Sequence, residues 1–105
     1  MSNNIPVLVD DREPSWIANR LNTYGCNAVV SRLDAGDYCF YPHGLSVGIE
    51  RKTLGDLLGS MASKRLVAQA HKMIESYDIA ILLREGQIRR SMGGMVEYQQ
   101  GTNWV

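Results

Sequence analysis

Cysteine is scarce in this chain of 105 residues: Cys26 and Cys39 are the only two. Two thiols make no disulfide framework, so the fold has to close on an apolar core. Charge of one sign is lacking as well, with eleven Lys and Arg against eleven Asp and Glu. That balance excludes a strongly basic coat and leaves only a local patch for binding a polyanion. No apolar run approaches membrane-spanning length, so no membrane association is expected. The opening Met1-Ser2-Asn3-Asn4 is polar and the apolar run after it is short, which argues against a secretion signal. Internal repeats and low-complexity segments are absent. These absences together predict a reduced, intracellular protein with free thiols.

What is present suffices for one core. The hydrophobic content is 45%, enough for a single domain at a length with no room for a second. Charge divides unevenly along the chain. Residues 61–105 carry six Lys/Arg against four Asp/Glu, and residues 1–60 carry five against seven. An acidic first half and a basic second half suit a metal site beside a phosphate-binding surface; scatter in small counts explains the split equally well.

The chain reads as alternating strands and helices. Ile5-Pro6-Val7-Leu8-Val9 predicts a strand buried on both faces, and it ends directly in Asp10-Asp11-Arg12-Glu13. Pro14 suits the first turn of a helix that runs to about Tyr24 on the stripe Ile17, Leu21, Tyr24, with Gly25 as its stop. Cys26 to Leu33 is a second strand, Asp34-Ala35-Gly36-Asp37 a turn, and Tyr38 to Tyr41 a third strand. After the reversal at Pro42-His43-Gly44, alternation from Leu45 to Lys52 completes a β-hairpin. Thr53 is placed to cap a helix bearing Leu54, Leu57, Leu58 and Met61. A second helix carries Leu66, Ala70, Met73, Ile74 and Tyr77. These Leu and Met stripes are read as core. Ile79 to Leu83 predicts another buried strand, and residues 87–105 a loop or loose hairpin around Met92–Met95. The result is a mixed α/β sheet flanked by helices.

Counting across the hairpin gathers the charge. A reversal centred between His43 and Gly44 sets Tyr41 opposite Ser46, Cys39 opposite Gly48 and Asp37 opposite Glu50. Directly opposed side chains lie about 5 Å apart, so two carboxylates there repel unless a cation joins them. Hard oxygen ligands with space for water suit Mg²⁺ or Mn²⁺. Lys52 lies on the same face, where it can orient an attacking water or neutralise charge on a phosphate. Gly48 is expected to leave room for a substrate backbone. Asp10, at the end of the first strand, offers a third carboxylate to the same ion. Asp56 stands in a helix first turn, where a carboxylate is favoured in any case. Neither His43 nor His71 has metal-ligand spacing. The cations Lys64, Arg65, Lys72, Arg84, Arg89 and Arg90 are solvated-face residues, several of which can also contact phosphates, Lys64, Arg65, Arg89 and Arg90 first among them.

Val9-Asp10-Asp11-Arg12-Glu13, Leu33-Asp34-Ala35-Gly36-Asp37-Tyr38 and Glu50-Arg51-Lys52-Thr53-Leu54-Gly55-Asp56 resemble three signatures of the XPF-type nuclease domain. They are Asp-x-Arg-Glu, Gly-Asp and Glu-Arg-Lys-x-x-x-Asp, in the same order. The resemblance covers residues 5–86, most of the chain, and leaves residues 87–105 as a loop or the incomplete end of the same domain. It implies a restriction-endonuclease-like fold of the PD-(D/E)XK superfamily that cuts branched or flapped DNA with Mg²⁺ or Mn²⁺. It further implies that Asp37 and Glu50 bind the metal and Lys52 is catalytic. Asp10, Arg12, Glu13, Arg51 and Asp56 would support them. DNA is the implied partner, with a homodimer or heterodimer as the working form. The implied location is the nucleus in a eukaryote, otherwise cytoplasm or nucleoid. The alternative is a non-catalytic DNA-binding or scaffolding partner of an active subunit. Such partners typically lose the acidic and Lys residues that this chain retains. Nothing in residues 87–105 reads as the tandem helix-hairpin-helix module that the family adds.

Overall fold

The computed structural model describes residues 5–100 and 102–105. The polar opening, residues 1–4, and Gly101 of the tail lie outside the described residues. The elements are β1 (Pro6–Asp10), α1 (Ser15–Thr23), β2 (Asn27–Ser31), β3 (Tyr38–Phe40), β4 (Val47–Thr53), α2 (Leu54–Ala62), α3 (Arg65–Ser76), β5 (Ile79–Glu85), β6 (Ile88–Arg90), β7 (Val96–Gln100) and β8 (Asn103–Trp104). The order through β5 is the one expected from periodicity.

Five strands form one sheet in the order β2-β1-β3-β4-β5. β1 pairs with β2 in parallel and with β3 antiparallel; β4 pairs antiparallel with β3 and in parallel with β5. The short β3 is therefore the hinge of the sheet. The end of β1, the start of β3 and the later half of β4 all reach the same edge. The hairpin register places Tyr38 against Ile49, Cys39 against Gly48 and Phe40 against Val47, as the count predicts. A tight helical turn at Pro42–Gly44 makes the reversal, with His43 at φ 51° and Gly44 at φ 80°.

One face of the sheet packs on α1. Val9, Ile17, Ala18 and Tyr38 form the buried cluster, with Val7, Leu21, Ala28 and Ile49 against it. Tyr24, expected in that stripe, instead lies past the helix end and is exposed. Its amide caps the helix before Gly25 turns away at φ 90°. The opposite face, formed by Leu8, Cys39 and Gly48, lies under the end of α3. There the Tyr77 ring covers Gly48 so closely that a Cβ on that glycine would sit 2.1 Å from it. Gly48 therefore admits a protein side chain, not a substrate backbone.

Burial falls short of expectation at the β5 side. Ile81 is 41% and Leu83 49% exposed, where a buried strand was expected. β5 is an edge strand with β4 as its one neighbour in this sheet, and α2 and α3 cover it only in part. A run of apolar residues reports strand propensity and does not report how many layers cover it. Leu58, Met61 and Ile74 are likewise exposed, so the expected helical core stripes reduce mainly to Met73. Thr53 does cap α2, accepting from the Asp56 amide at 3.2 Å.

The C-terminal stretch is a small sheet of its own, β6-β7-β8. Its hairpin turns through Ser91–Met95, closed by the Ser91 amide on the Met95 carbonyl at 2.7 Å. Cys26 is exposed and Cys39 buried, both free. Among the described residues no helix is long and apolar enough to cross a membrane.

Candidate active site

Alternation along three neighbouring strands sends Asp10, Asp37 and Glu50 to the face covered by α3. They stand at the rim of an open cleft of about 430 Å³. Arg12, Glu13, Asp34, Gln69 and Lys72 contribute the rest of its polar side-chain lining.

Asp37 sits one step beyond the last ladder pair and is bound to both neighbouring strands. Its amide donates to the Ile49 carbonyl at 2.8 Å, and its carbonyl accepts from the Asp10 amide at 2.8 Å. One carboxylate oxygen, Oδ2, accepts from the Arg51 amide at 2.7 Å. That bond turns the carboxylate toward β4 and leaves Oδ1 without a protein donor among the described residues. Burial pushes the Asp37 pKa up, against the Arg51 amide and with help from the charges of Glu13 and Asp10. Glu50 is pushed up too, first by burial and then by the charge of Asp37, with Lys52 opposing. No hydrogen bond satisfies the Glu50 carboxylate among the described residues. Two half-buried acids are thus both raised, Glu50 in part by the charge of Asp37, with no protein cation bonded between them.

Asp10 also lines the cleft, but its carboxylate is engaged differently from those of Asp37 and Glu50. Its side chain is almost fully buried, and both oxygens are occupied. Oδ2 accepts from the Arg12 amide at 3.1 Å and Arg12 Nε at 2.7 Å. Oδ1 accepts from Arg12 Nη2 at 3.0 Å and the Leu33 amide at 2.9 Å. The Arg12 guanidinium holds this carboxyl well below the usual carboxylate range. With four protein donors on its carboxylate, Asp10 is less free than Asp37 or Glu50 to take a further partner. It braces Arg12, which also reaches the Leu33 carbonyl at 2.9 Å.

Glu13 and Arg51 form a separate brace. Arg51 donates to Glu13 Oε1 at 3.3 Å and Oε2 at 3.2 Å, and it bridges to Glu85 on β5. This ties the chain after β1 to the sheet edge behind the acids. Asp56 stays in the first turn of α2, exposed and outside the cleft lining. Among the described residues no three Asp, Glu, His or Cys converge as a ready metal cluster. The available ligands are Asp37 and Glu50, and Mg²⁺ readily keeps several waters alongside one or two carboxylates. The paired, desolvated acids therefore fit a hard divalent cation.

The expected phosphate cations separate. Lys64 and Arg65 are exposed at the start of α3, with Lys64 at φ 63°. Arg90 is exposed on β6. Arg89 is committed elsewhere: it pairs with Glu97 at 2.8 Å and lies 4.0 Å from the centre of the Trp104 ring. Gln69 was not foreseen at the site, and Lys72 was expected only as one of several cations able to contact phosphates. Both occupy one face of α3 with Met73, three and four residues apart, and α3 is the helix laid over β4. That spacing was visible in the sequence, whereas the helix placement was not.

A family model described as the ERCC4 domain matches residues 9–101. The chain is 36% identical over 85 residues to the 3′-flap repair endonuclease Xpf of Saccharolobus solfataricus, covering 80% of this chain and 35% of that protein. It is 36% identical over 80 residues to the DNA repair protein RAD1 of Saccharomyces cerevisiae, covering 75% of this chain and 7% of that protein. Among solved structures, XPF from Aeropyrum pernix in complex with DNA aligns at a TM-score of 0.68 and 32% identity, over 79% of this chain and 40% of that one. The chain thus spans well under half the length of each.

Proposed function

The chain belongs to the ERCC4-domain family, and from that premise we propose that it is a metal-dependent nuclease unit that hydrolyses phosphodiester bonds in branched or flapped DNA. The observation that carries this reading is the pair Asp37 and Glu50, two half-buried acids at the rim of an open cleft, both raised by burial and Glu50 also by the charge of Asp37. Flap and junction DNA are the first substrates to consider. The Saccharolobus relative is named a 3′-flap repair endonuclease, and the Aeropyrum neighbour is in complex with DNA.

Asp37 and Glu50 would hold a Mg²⁺ or Mn²⁺ ion, which supplies polarisation of the phosphoryl oxygen and a lowered pKa for bound water. Around them the chain's own residues do three things. Lys52, two residues along the strand from Glu50, neutralises charge that develops on the phosphate. Arg12, fixed by Asp10, presents a positioned guanidinium at the cleft. Lys72 brings a third cation from the α3 wall. The unit carrying this chemistry is taken as residues 5–86, working inside the cell on DNA as a homodimer or heterodimer.

The test is cleavage of flap, splayed-arm and linear duplex DNA with and without Mn²⁺. Lys52→Ala and Asp37→Asn are each expected to slow metal-dependent cleavage by about 100-fold or more, with unchanged circular dichroism. Cleavage that survives both substitutions overturns the assignment. Metal-independent DNA binding without cleavage would favour the scaffolding alternative instead.

A further inference from the structure

A second cleft, of about 150 Å³, opens between α3 and the β4–β5 strands. Its walls are apolar, with Leu66, Ala70 and Ile74 on the helix side and Ala80, Ile81 and Leu82 on the sheet side. It shares Glu50, Gln69 and Met73 with the acidic cleft, so the two are neighbours across one wall. Gln69 is the unusual member of that wall. Its Oε1 is closed off from solvent and has no hydrogen-bond partner among the described residues. Native folds rarely leave a buried acceptor in that state without a use for it.

We propose that this apolar cleft is a nucleobase subsite, entered by the base of a nucleotide flanking the scissile phosphate. The proposal rests on the nuclease reading and deepens it. A nucleotide presents an anionic phosphate and, one sugar away, a flat ring with apolar faces and a polar edge. The two clefts present matching surfaces in the same order: acids and cations for the phosphate, then an apolar slot with the Gln69 carboxamide in the wall between them. The Gln69 amide offers an acceptor and two donors, which suits a base edge that mixes both. Enzymes that take a base out of the stack read it in this way, by edge hydrogen bonds between apolar side chains. Unstacking costs least where a base is already unpaired, so the slot favours junctions and flaps over continuous duplex. Discrimination by DNA structure is then partly built into this short chain.

The test uses splayed-arm DNA with 2-aminopurine on either side of the cut site, bound in Ca²⁺ so that cleavage is suppressed. A parallel set of substrates is abasic at those positions and is cut in Mn²⁺. With wild-type protein, 2-aminopurine brightens on binding, and the abasic substrate is cut roughly tenfold more slowly than the intact one. Ala70→Leu, which fills the slot, removes the brightening. Gln69→Leu slows the intact substrate by a similar factor and shows no further loss on the abasic one. Should Ala70→Leu fail to fold, judged by circular dichroism, the Gln69→Leu and abasic arms decide the matter. Equal cleavage of intact and abasic DNA by an active wild-type protein overturns the subsite and leaves the nuclease reading standing. A wild-type protein that cuts no DNA overturns both.

Discussion

Asp10 and Asp37 sit on adjacent strands, and their surroundings push their carboxyl groups in opposite directions. Asp10 is held down by the Arg12 guanidinium and by the Leu33 and Arg12 amides. A depressed carboxyl stabilises the fold above its unfolded pKa and loses that contribution as pH falls toward the folded value. Asp10 is thus a source of acid sensitivity. Replacing it by Asn puts an amide against Arg12 and costs about 2 kcal/mol, to be read from urea denaturation at neutral pH. Asp37 and Glu50 behave in the opposite sense. Their raised pKa values mean that the folded state binds protons more tightly, so their ionisation weakens the fold as pH rises through that window. Without metal, Asp37→Asn should lower the Glu50 pKa, because the charge of Asp37 is one of the forces raising it. Carbon-detected titration of the Glu50 carboxyl checks this, and an unmoved value would mean that the two acids do not sense each other.

The hairpin of β3 and β4 carries the geometry at the scale of elements. Its register sends Glu50 and Asp37 to one face, and a slip of one residue would separate them. Tyr77 helps to hold it there, with its ring over Gly48 and its hydroxyl donating to the Ala35 carbonyl at 2.5 Å. Gly48→Ala drives a methyl into that ring and should destabilise the protein by about 1–3 kcal/mol. Combining it with Tyr77→Ala should recover part of the ring-clash penalty in a double-mutant cycle, measured by urea titration; simple additivity would show that the two do not touch. The hairpin was legible because alternation and a Pro-His-Gly reversal are local signals. The Gly48–Tyr77 contact was not, since it joins residues on different elements. Arg89 shows the same limit: its sequence context suggests a free cation, and its partners Glu97 and Trp104 come from strands folded back upon it.

For the whole molecule, metal binding is the most direct probe of the site. A ligand that binds only the folded state at 100 times its Kd adds about 2.7 kcal/mol. In a domain of this length that corresponds to a Tm rise of roughly 10 °C or more. Mn²⁺ should therefore raise the Tm of the wild type and leave the Asp37→Asn, Glu50→Gln double variant unmoved. An equal rise in both would place the ion elsewhere. DNA affinity should follow salt through exposed cations, so Lys64→Ala or Arg65→Ala each lower the salt slope by about 1, while Arg89→Ala leaves it unchanged.

The order of strands and helices through β5, the hairpin register and the grouping of Asp37, Glu50 and Lys52 on one face were determined by the sequence alone. Each follows from a period, a turn residue or a count along neighbouring positions. Tertiary structure decided the rest. It filled the acceptors of Asp10 with Arg12 and Leu33, laid Tyr77 over Gly48, and left β5 exposed at the sheet edge. It also brought Gln69 and Lys72 to the cleft by setting α3 across β4. The reason is physical: a residue's type and spacing fix which way it points on its own element, but its partners depend on how elements separated in sequence pack together.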